Sequence, residues 1–188
     1  MGNKEHIENL LKETERPGIE NLLNWMEQNG FYDAPCSSKY HLAKPGGLAE
    51  HSLNVFRIAL SILPDLFKQD ETKVNFEFVN SVVICSLLHD LGKAGQFGKP
   101  NYIMTKGQTG LISCETNKDL LYVPHEIRSI AIASRYIDLT EEEQFAILYH
   151  NGLYGELKGF KGSETPLYLL LSYADLWAAR ITEREDEK

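Results

Sequence analysis

The stretch Leu87-Leu-His-Asp-Leu-Gly-Lys93 sets an imidazole and a carboxylate side by side at the end of an apolar run. Upstream of it, Val79, Val82, Val83, Leu87 and Leu88 recur as in a helix that is mostly buried. Asn75 is a fair N-cap, so the sequence predicts a helix from there to about Leu91, ended by Gly92. A neutral imidazole beside a carboxylate suits a divalent metal ion. The carbonyls left unpaired at a helix C-terminus add partial negative charge that favours a nearby cation. His89 alone also fits a hydrogen-bonded core histidine, and Asp90 a cap on a neighbouring helix.

Other helices supply partners for the pair. A helix is expected from about Gly47 to Leu63, stopped by Pro64, with the stripe Leu48, Val55, Ile58, Ala59 and Ile62. His51 lies on that stripe and points at the core, where a lone histidine is commonly a packed residue rather than a ligand. The last helix opens at Thr165-Pro166 and is expected to reach about Arg184. Asp175 shares its face with Leu171, Ala178 and Ala179, so it too turns inward. A buried, unpaired carboxylate costs several kcal/mol or takes a proton, so it needs a cation. A metal ion shared with His51, His89 and Asp90 is one such cation, and an arginine such as Arg57 is the rival.

Two further histidines fit a second ion. His125 follows Pro124 at the start of a helix expected to reach about Tyr136, where the helix dipole keeps an imidazole neutral. It also fits a simple helix-start residue. Thr140-Glu-Glu-Glu143 is a capping box that opens a helix to about His150. His150 lies on the side of Ala146 and Ile147, or pairs with the C-terminal dipole. His6 and His41 lie in polar segments and receive no metal role. Cys36, Cys85 and Cys114 are an odd count without CxxC spacing and are expected to be packing residues.

Composition frames these residues. The chain has 188 residues, 43% hydrophobic and 24% charged, which fits one ordinary domain. Its 19 Lys plus Arg against 27 Asp plus Glu leave a net charge of −8. That argues against an extended nucleic-acid or anionic-membrane surface, but not against a small anionic substrate in a local pocket. No apolar region follows Met1, and no apolar run approaches the ~20 residues of a membrane span. A soluble protein of a reducing, cytoplasmic compartment is therefore expected.

Three regions follow from the punctuation. Residues 1–30 are expected as two N-terminal helices packing on the core, near 5–14 and over 18–29. Pro17 starts the second, Ile19, Leu22, Leu23 and Met26 share a face, and Gly30 stops it. Residues 31–181 form the main domain, with an ordered loop over 31–45, an irregular lid with a small hairpin over 93–123, and a glycine-rich loop over 151–163. Residues 182–188 are read as a charged, fraying tail.

The ordered set His51, His89-Asp90, His125, His150 and Asp175 resembles the HD superfamily of metal-dependent phosphohydrolases. Gly46-Gly-Leu-Ala-Glu-His-Ser-Leu53, Leu87-Leu-His-Asp-Leu-Gly-Lys93, His150-Asn-Gly152 and Leu171-Ser-Tyr-Ala-Asp-Leu176 sharpen the likeness. They are similar to the branch of HD-type 3′→5′ exoribonucleases and small stand-alone HD hydrolases. The resemblance covers roughly residues 31–181. It implies an all-α helical bundle with a metal centre between helices and an irregular lid loop. It implies one divalent transition-metal ion held by His51, His89, Asp90 and Asp175, and a second bridged by Asp90 to His125 and His150. Relatives with the second site often carry His-His-Gly where this chain has His150-Asn151-Gly152. The exoribonucleases also carry a separate OB domain, for which this sequence has no room.

By the same resemblance Lys93 contacts a bound phosphate, although a loop lysine is ordinarily solvated. Lys99, Lys106, Lys158 and Lys161 could add positive charge, and Tyr40, Tyr102 and Tyr173 could stack on a base, though surface and core roles are commoner for these types. The expected function is metal-dependent hydrolysis of a phosphoester of a nucleotide or similar small substrate, with Asp90 and Lys93 catalytic. Histidine-rich ligation favours Fe, Mn, Co, Ni or Zn over Mg. The alternatives are a short oligonucleotide exonuclease and a non-catalytic, nucleotide-binding regulatory module.

Overall fold

The computed structural model describes residues 2–70, 74–107, 110, 112–152, 162 and 164–184. Two short helices, α1 (Asn3–Glu13) and α2 (Ile19–Gln28), come first, and Ile7, Leu11, Leu22 and Met26 enter the same core as the later helices. α3 (Gly47–Leu66) and α4 (Phe76–Leu88) cross the centre. α5 (His125–Ala133), α6 (Glu141–Tyr149) and α7 (Pro166–Trp177) pack around them. Among the described residues the only sheet is a hairpin of β1 (Tyr102–Lys106) and β2 (Ile112–Thr116), antiparallel, with Met104 opposite Cys114. The fold is an all-α helical bundle, with the hairpin in the irregular lid.

Local chemistry explains the boundaries. Asn75 caps α4 by accepting a hydrogen bond from the Phe78 amide at 2.8 Å, and Thr140 with Glu143 forms the full capping box of α6. α4 is buried along Val82–Leu88, as its apolar run predicts. It ends at Leu88, earlier than the expected Leu91. His89 and Asp90 are then followed by a 3-10 turn over Leu91–Ala94.

Pro64 does not stop α3, which continues to Leu66. Proline removes one hydrogen bond, to the Leu60 carbonyl, and both residues are exposed, so water can satisfy that oxygen. α5 stops at Ala133 rather than Tyr136. The last helix leaves α-geometry after Trp177 and closes in a π turn, Ala178–Thr182, with the Glu183 amide donating to the Ala178 carbonyl at 2.9 Å. The fraying expected from Thr182 is corrected at Glu183: this turn draws it inward, and it is buried.

Gly92 sets the spacing on which the centre depends. A side-chain carbon there would overlap the His125 carbonyl and press on Arg128 and the Ser129 amide. The Gly92 amide instead donates to Ser129 Oγ at 2.8 Å, and that hydroxyl donates to the His125 carbonyl at 2.8 Å. The turn after Asp90 therefore lies directly on the first turn of α5. Arg128 in turn holds the lid, donating to Asn101 Oδ1 at 3.2 Å and the Leu121 carbonyl at 2.8 Å.

Candidate metal centre

Five helices bring six ligand-type side chains together. α3 supplies His51, the end of α4 supplies His89 and Asp90, α5 supplies His125, the end of α6 supplies His150, and α7 supplies Asp175. His51 Nε2 lies 3.1 Å from Asp175 Oδ1, 3.5 Å from Asp90 Oδ2 and 3.3 Å from His89 Nε2. On the other side of the carboxylate, His125 Nε2 is 3.1 Å and His150 Nε2 3.8 Å from Asp90 Oδ1, with the two nitrogens 3.4 Å apart. Three overlapping triads result: His51, His89 and Asp90; His89, His150 and Asp175; Asp90, His125 and His150. In each, the ligand atoms lie within 4.8 Å of one another.

The ring nitrogens facing away from the centre fix those facing in. His89 Nδ1 donates to the Ser86 carbonyl at 3.0 Å and His150 Nδ1 to the Ile147 carbonyl at 2.7 Å. His51 Nδ1 donates to the Glu183 carboxylate at 2.9 Å, which Asn54 Nδ2 also holds at 3.0 Å. Acceptors that can only accept force the proton onto Nδ1, so a neutral ring turns its Nε2 lone pair inward. His51 Nε2 and His89 Nε2 lie only 3.3 Å apart beside two carboxylates, a gap that a proton on His51 or a bound cation bridges.

Charge on the groups follows the same field. Burial opposes ionisation of Asp175, but His51, His150 and His89 hold its carboxyl well below the ordinary range. Burial opposes ionisation of Asp90 as well, and Lys93, His89 and His125 overcome it. Burial would keep His51 uncharged, yet the Cys36 sulfur and the Asp175 and Glu183 carboxylates raise its pKa well above the usual value. Burial, helped by His89, pushes His150 down to about 3, so this ring is neutral. Asp90 Oδ1 is buried and makes no hydrogen bond, which is costly for a carboxylate oxygen. An orphaned buried oxygen facing two imidazole nitrogens is the donor set that a divalent cation fits.

A family model for the HD domain matches residues 48–180. The chain belongs to the HD domain family. Membership of the HD family makes it a helical domain of the metal-dependent phosphohydrolase superfamily, and the HD domain implies divalent-metal binding. No curated protein and no solved structure matches the chain at a significant level.

Lys93, in the turn after Asp90, places Nζ 2.6 Å from Asp90 Oδ2 and lines a cleft of about 1170 Å³ beside the centre. His41, His150, Tyr40, Tyr173 and Asp175 also line it. Arg57 is exposed and lies 3.5 Å from Asn54, so it is not the partner of Asp175. Lys99 donates to the Asp119 carbonyl within the lid, and Lys106 lies on the exposed β1. Tyr102 is half-buried in the lid, while Lys158 and Lys161 lie outside the described residues.

Three residues near the centre escaped the sequence pattern. Glu183 lies eight residues beyond Asp175, past a π turn that moves it off the α-helical phase of the stripe. Cys36 and His41 carry no signal, because the loop over 31–45 has no period. Their side chains meet at 3.4 Å, and the His41 ring lies 5.1 Å from that of His51. No helix among the described residues is long and apolar enough to cross a membrane.

Proposed function

We propose that the chain hydrolyses a phosphoester of a nucleotide or similar small phosphorylated compound. In this reading His51, His89, Asp90 and Asp175 hold one divalent ion, and Asp90, His125 and His150 hold a second. The observation that supports it most is the division of Asp90: Oδ2 faces His51 and His89, while the unbonded Oδ1 faces His125 and His150. A divalent ion there supplies Lewis acidity, acidifying a coordinated water and offsetting charge on phosphoryl oxygens.

The chain's own groups do the rest. Asp90 orients the attacking water as well as ligating. Lys93, on the cleft wall, brings an ammonium to the phosphoryl oxygens, where negative charge grows in the transition state. Burial opposes its charge, but the Asp90 carboxylate beside it outweighs that and keeps the ammonium protonated. Glu183, Ser86 and Ile147 fix the ring orientations from behind. Tyr40 and Tyr173 offer exposed ring faces on the cleft walls to a base or sugar. The imidazole-rich set favours Fe, Mn, Co, Ni or Zn over Mg.

Elemental analysis of the purified protein, paired with a metal-by-phosphoester activity screen, tests this. Bound transition metal and turnover of a nucleotide phosphoester are expected. A metal-free protein inert with every added ion overturns the reading. The cleft volume of about 1170 Å³ exceeds what one mononucleotide needs and favours, as a second reading, a short oligonucleotide entering end-on. Turnover of oligonucleotides with none of mononucleotides would select it.

A further inference from the structure

We infer that Cys36 and His41 bind metal: they join His51 as ligands of the first ion, a sulfur-containing arm of that site which makes it take a soft divalent ion of the zinc class. This rests on the metal-centre reading above but goes beyond it, since both residues lie outside the matched span 48–180. The side chains of Cys36, His41 and His51 form a cluster whose ligand atoms lie within 4.8 Å of one another.

The environment of Cys36 separates it from a packing cysteine. Cys36 and Cys85 are both completely buried. Cys85 belongs to the apolar core, whereas Cys36 does not. Its sulfur instead sits among polar heads: His41 Nε2 at 3.4 Å, Asp90 Oδ2 at 3.9 Å and Lys93 Nζ at 3.9 Å. A sulfur surrounded by an imidazole, a carboxylate and an ammonium is placed for coordination. The Lys93 charge offsets the thiolate that coordination requires.

The loop holds the two donors ready. The Cys36 amide donates to the Leu42 carbonyl at 3.1 Å, closing the segment that separates sulfur from imidazole. Ser37 Oγ donates to the His41 carbonyl at 2.8 Å and accepts from the Tyr40 amide at 2.9 Å. As the metal–sulfur bond forms, the S–H bond breaks and its proton passes to solvent. Thiolate and imidazole are soft to borderline donors, so the arm selects zinc, cobalt or cadmium over magnesium or manganese.

Cobalt(II) loaded into the chelator-stripped full chain reads this directly. A near-ultraviolet sulfur-to-cobalt charge-transfer band is expected in the native protein, together with the visible bands of histidine-bound cobalt. Cys36→Ser should lose the first and keep the second, and His41→Ala should change the first. A Cys85→Ala/Cys114→Ala double variant leaves Cys36 in place and should retain the band, so the test stands even where Cys36→Ser does not fold. Cobalt bound without the band, or a band unchanged in Cys36→Ser or lost in the double variant, overturns the arm alone. No bound cobalt at all overturns the metal-centre reading with it.

Discussion

Two buried carboxylates of this molecule face opposite situations. Glu143, at the third position of α6, is fully satisfied. Arg16 donates to both its oxygens at 2.7 and 3.0 Å, Ser81 Oγ donates at 2.8 Å, and the Thr140 amide donates at 2.8 Å. Asp90 is equally buried, but Lys93 and the Cys36 thiol reach only its Oδ2, and Oδ1 accepts no hydrogen bond although His125 Nε2 lies 3.1 Å away. Glu143 ties the segment after α1 and the helix α4 to the cap of α6, which is structural work. Asp90 keeps acceptor capacity in reserve between two pairs of imidazoles. A satisfied buried acid holds a fold together, and an unsatisfied one is held by the fold for something else.

Exchanging each acid for its amide is the strongest way to break this comparison. Asp90→Asn should empty both ion positions and lower phosphoester turnover by about a thousandfold or more, while the metal-stripped chain loses less stability than in Glu143→Gln, because the Lys93 ammonium left without its partner reaches the open cleft. Elemental analysis, kinetics and calorimetry check it. Full metal content and activity in Asp90→Asn would sink the site assignment. Glu143→Gln should do the reverse, costing about 3 kcal/mol of stability by leaving Arg16 half-paired at a buried site. Turnover per folded molecule should stay near that of the native chain. A urea titration and a metal analysis of the same preparation read both quantities.

The two sides of Asp90 sharpen the comparison. His51 and His89 are completely buried, whereas His125 is more than a quarter exposed on its side chain. Asn151, following His150, donates its amide to Glu126 and not to the centre. His89→Ala should therefore remove the tighter ion and most activity, and His125→Ala should remove a weaker one and cost about tenfold. Equal metal loss in the two variants would contradict the asymmetry. Behind His51, Glu183→Gln leaves an acceptor for Nδ1 but no negative charge. A loss of metal affinity of about tenfold is expected, at the low end for an outer partner of a ligating ring. Isothermal titration with zinc measures it.

Particular residues show what a sequence can carry to such a site. His51, His89, His150 and Asp175 were legible because each lies at a fixed phase against an apolar stripe, and phase on a buried helix determines direction. The capping box of α6 and the Asn75 cap were legible for a similar reason: their hydrogen bonds are local. Pro64 misled because its position near the end of α3 and its exposure, not its identity, decide whether a helix survives it. Glu183 was hidden by a π turn that shifts the phase after Trp177, and by the charged residues around it. Cys36 and His41 converge through a loop closed by a backbone bond to Leu42 and a hydroxyl of Ser37. No period announces such a contact.

Acid unfolding gives the finest test of the contrast, because Glu143 lies away from the ion positions. Burial alone would raise the pKa of Glu143, but Arg16, the Thr140 amide and Ser81 lower it below its ordinary value. In the unfolded chain this carboxyl takes up its proton near pH ~4.3. In the folded chain it does so only at lower pH, so between the two values the unfolded state binds more protons. The stabilisation is therefore present above about pH 4.3 and is lost as pH falls through the folded pKa. Glu143→Gln has no such proton to take up. The stability gap between native chain and variant should be widest near neutral pH and should narrow on acidification below about pH 4. Urea midpoints of both metal-stripped proteins across that range measure the gap. A gap that stays constant would mean that Glu143 acts through shape and packing rather than through its charge, and the contrast with Asp90 would lose its electrostatic basis.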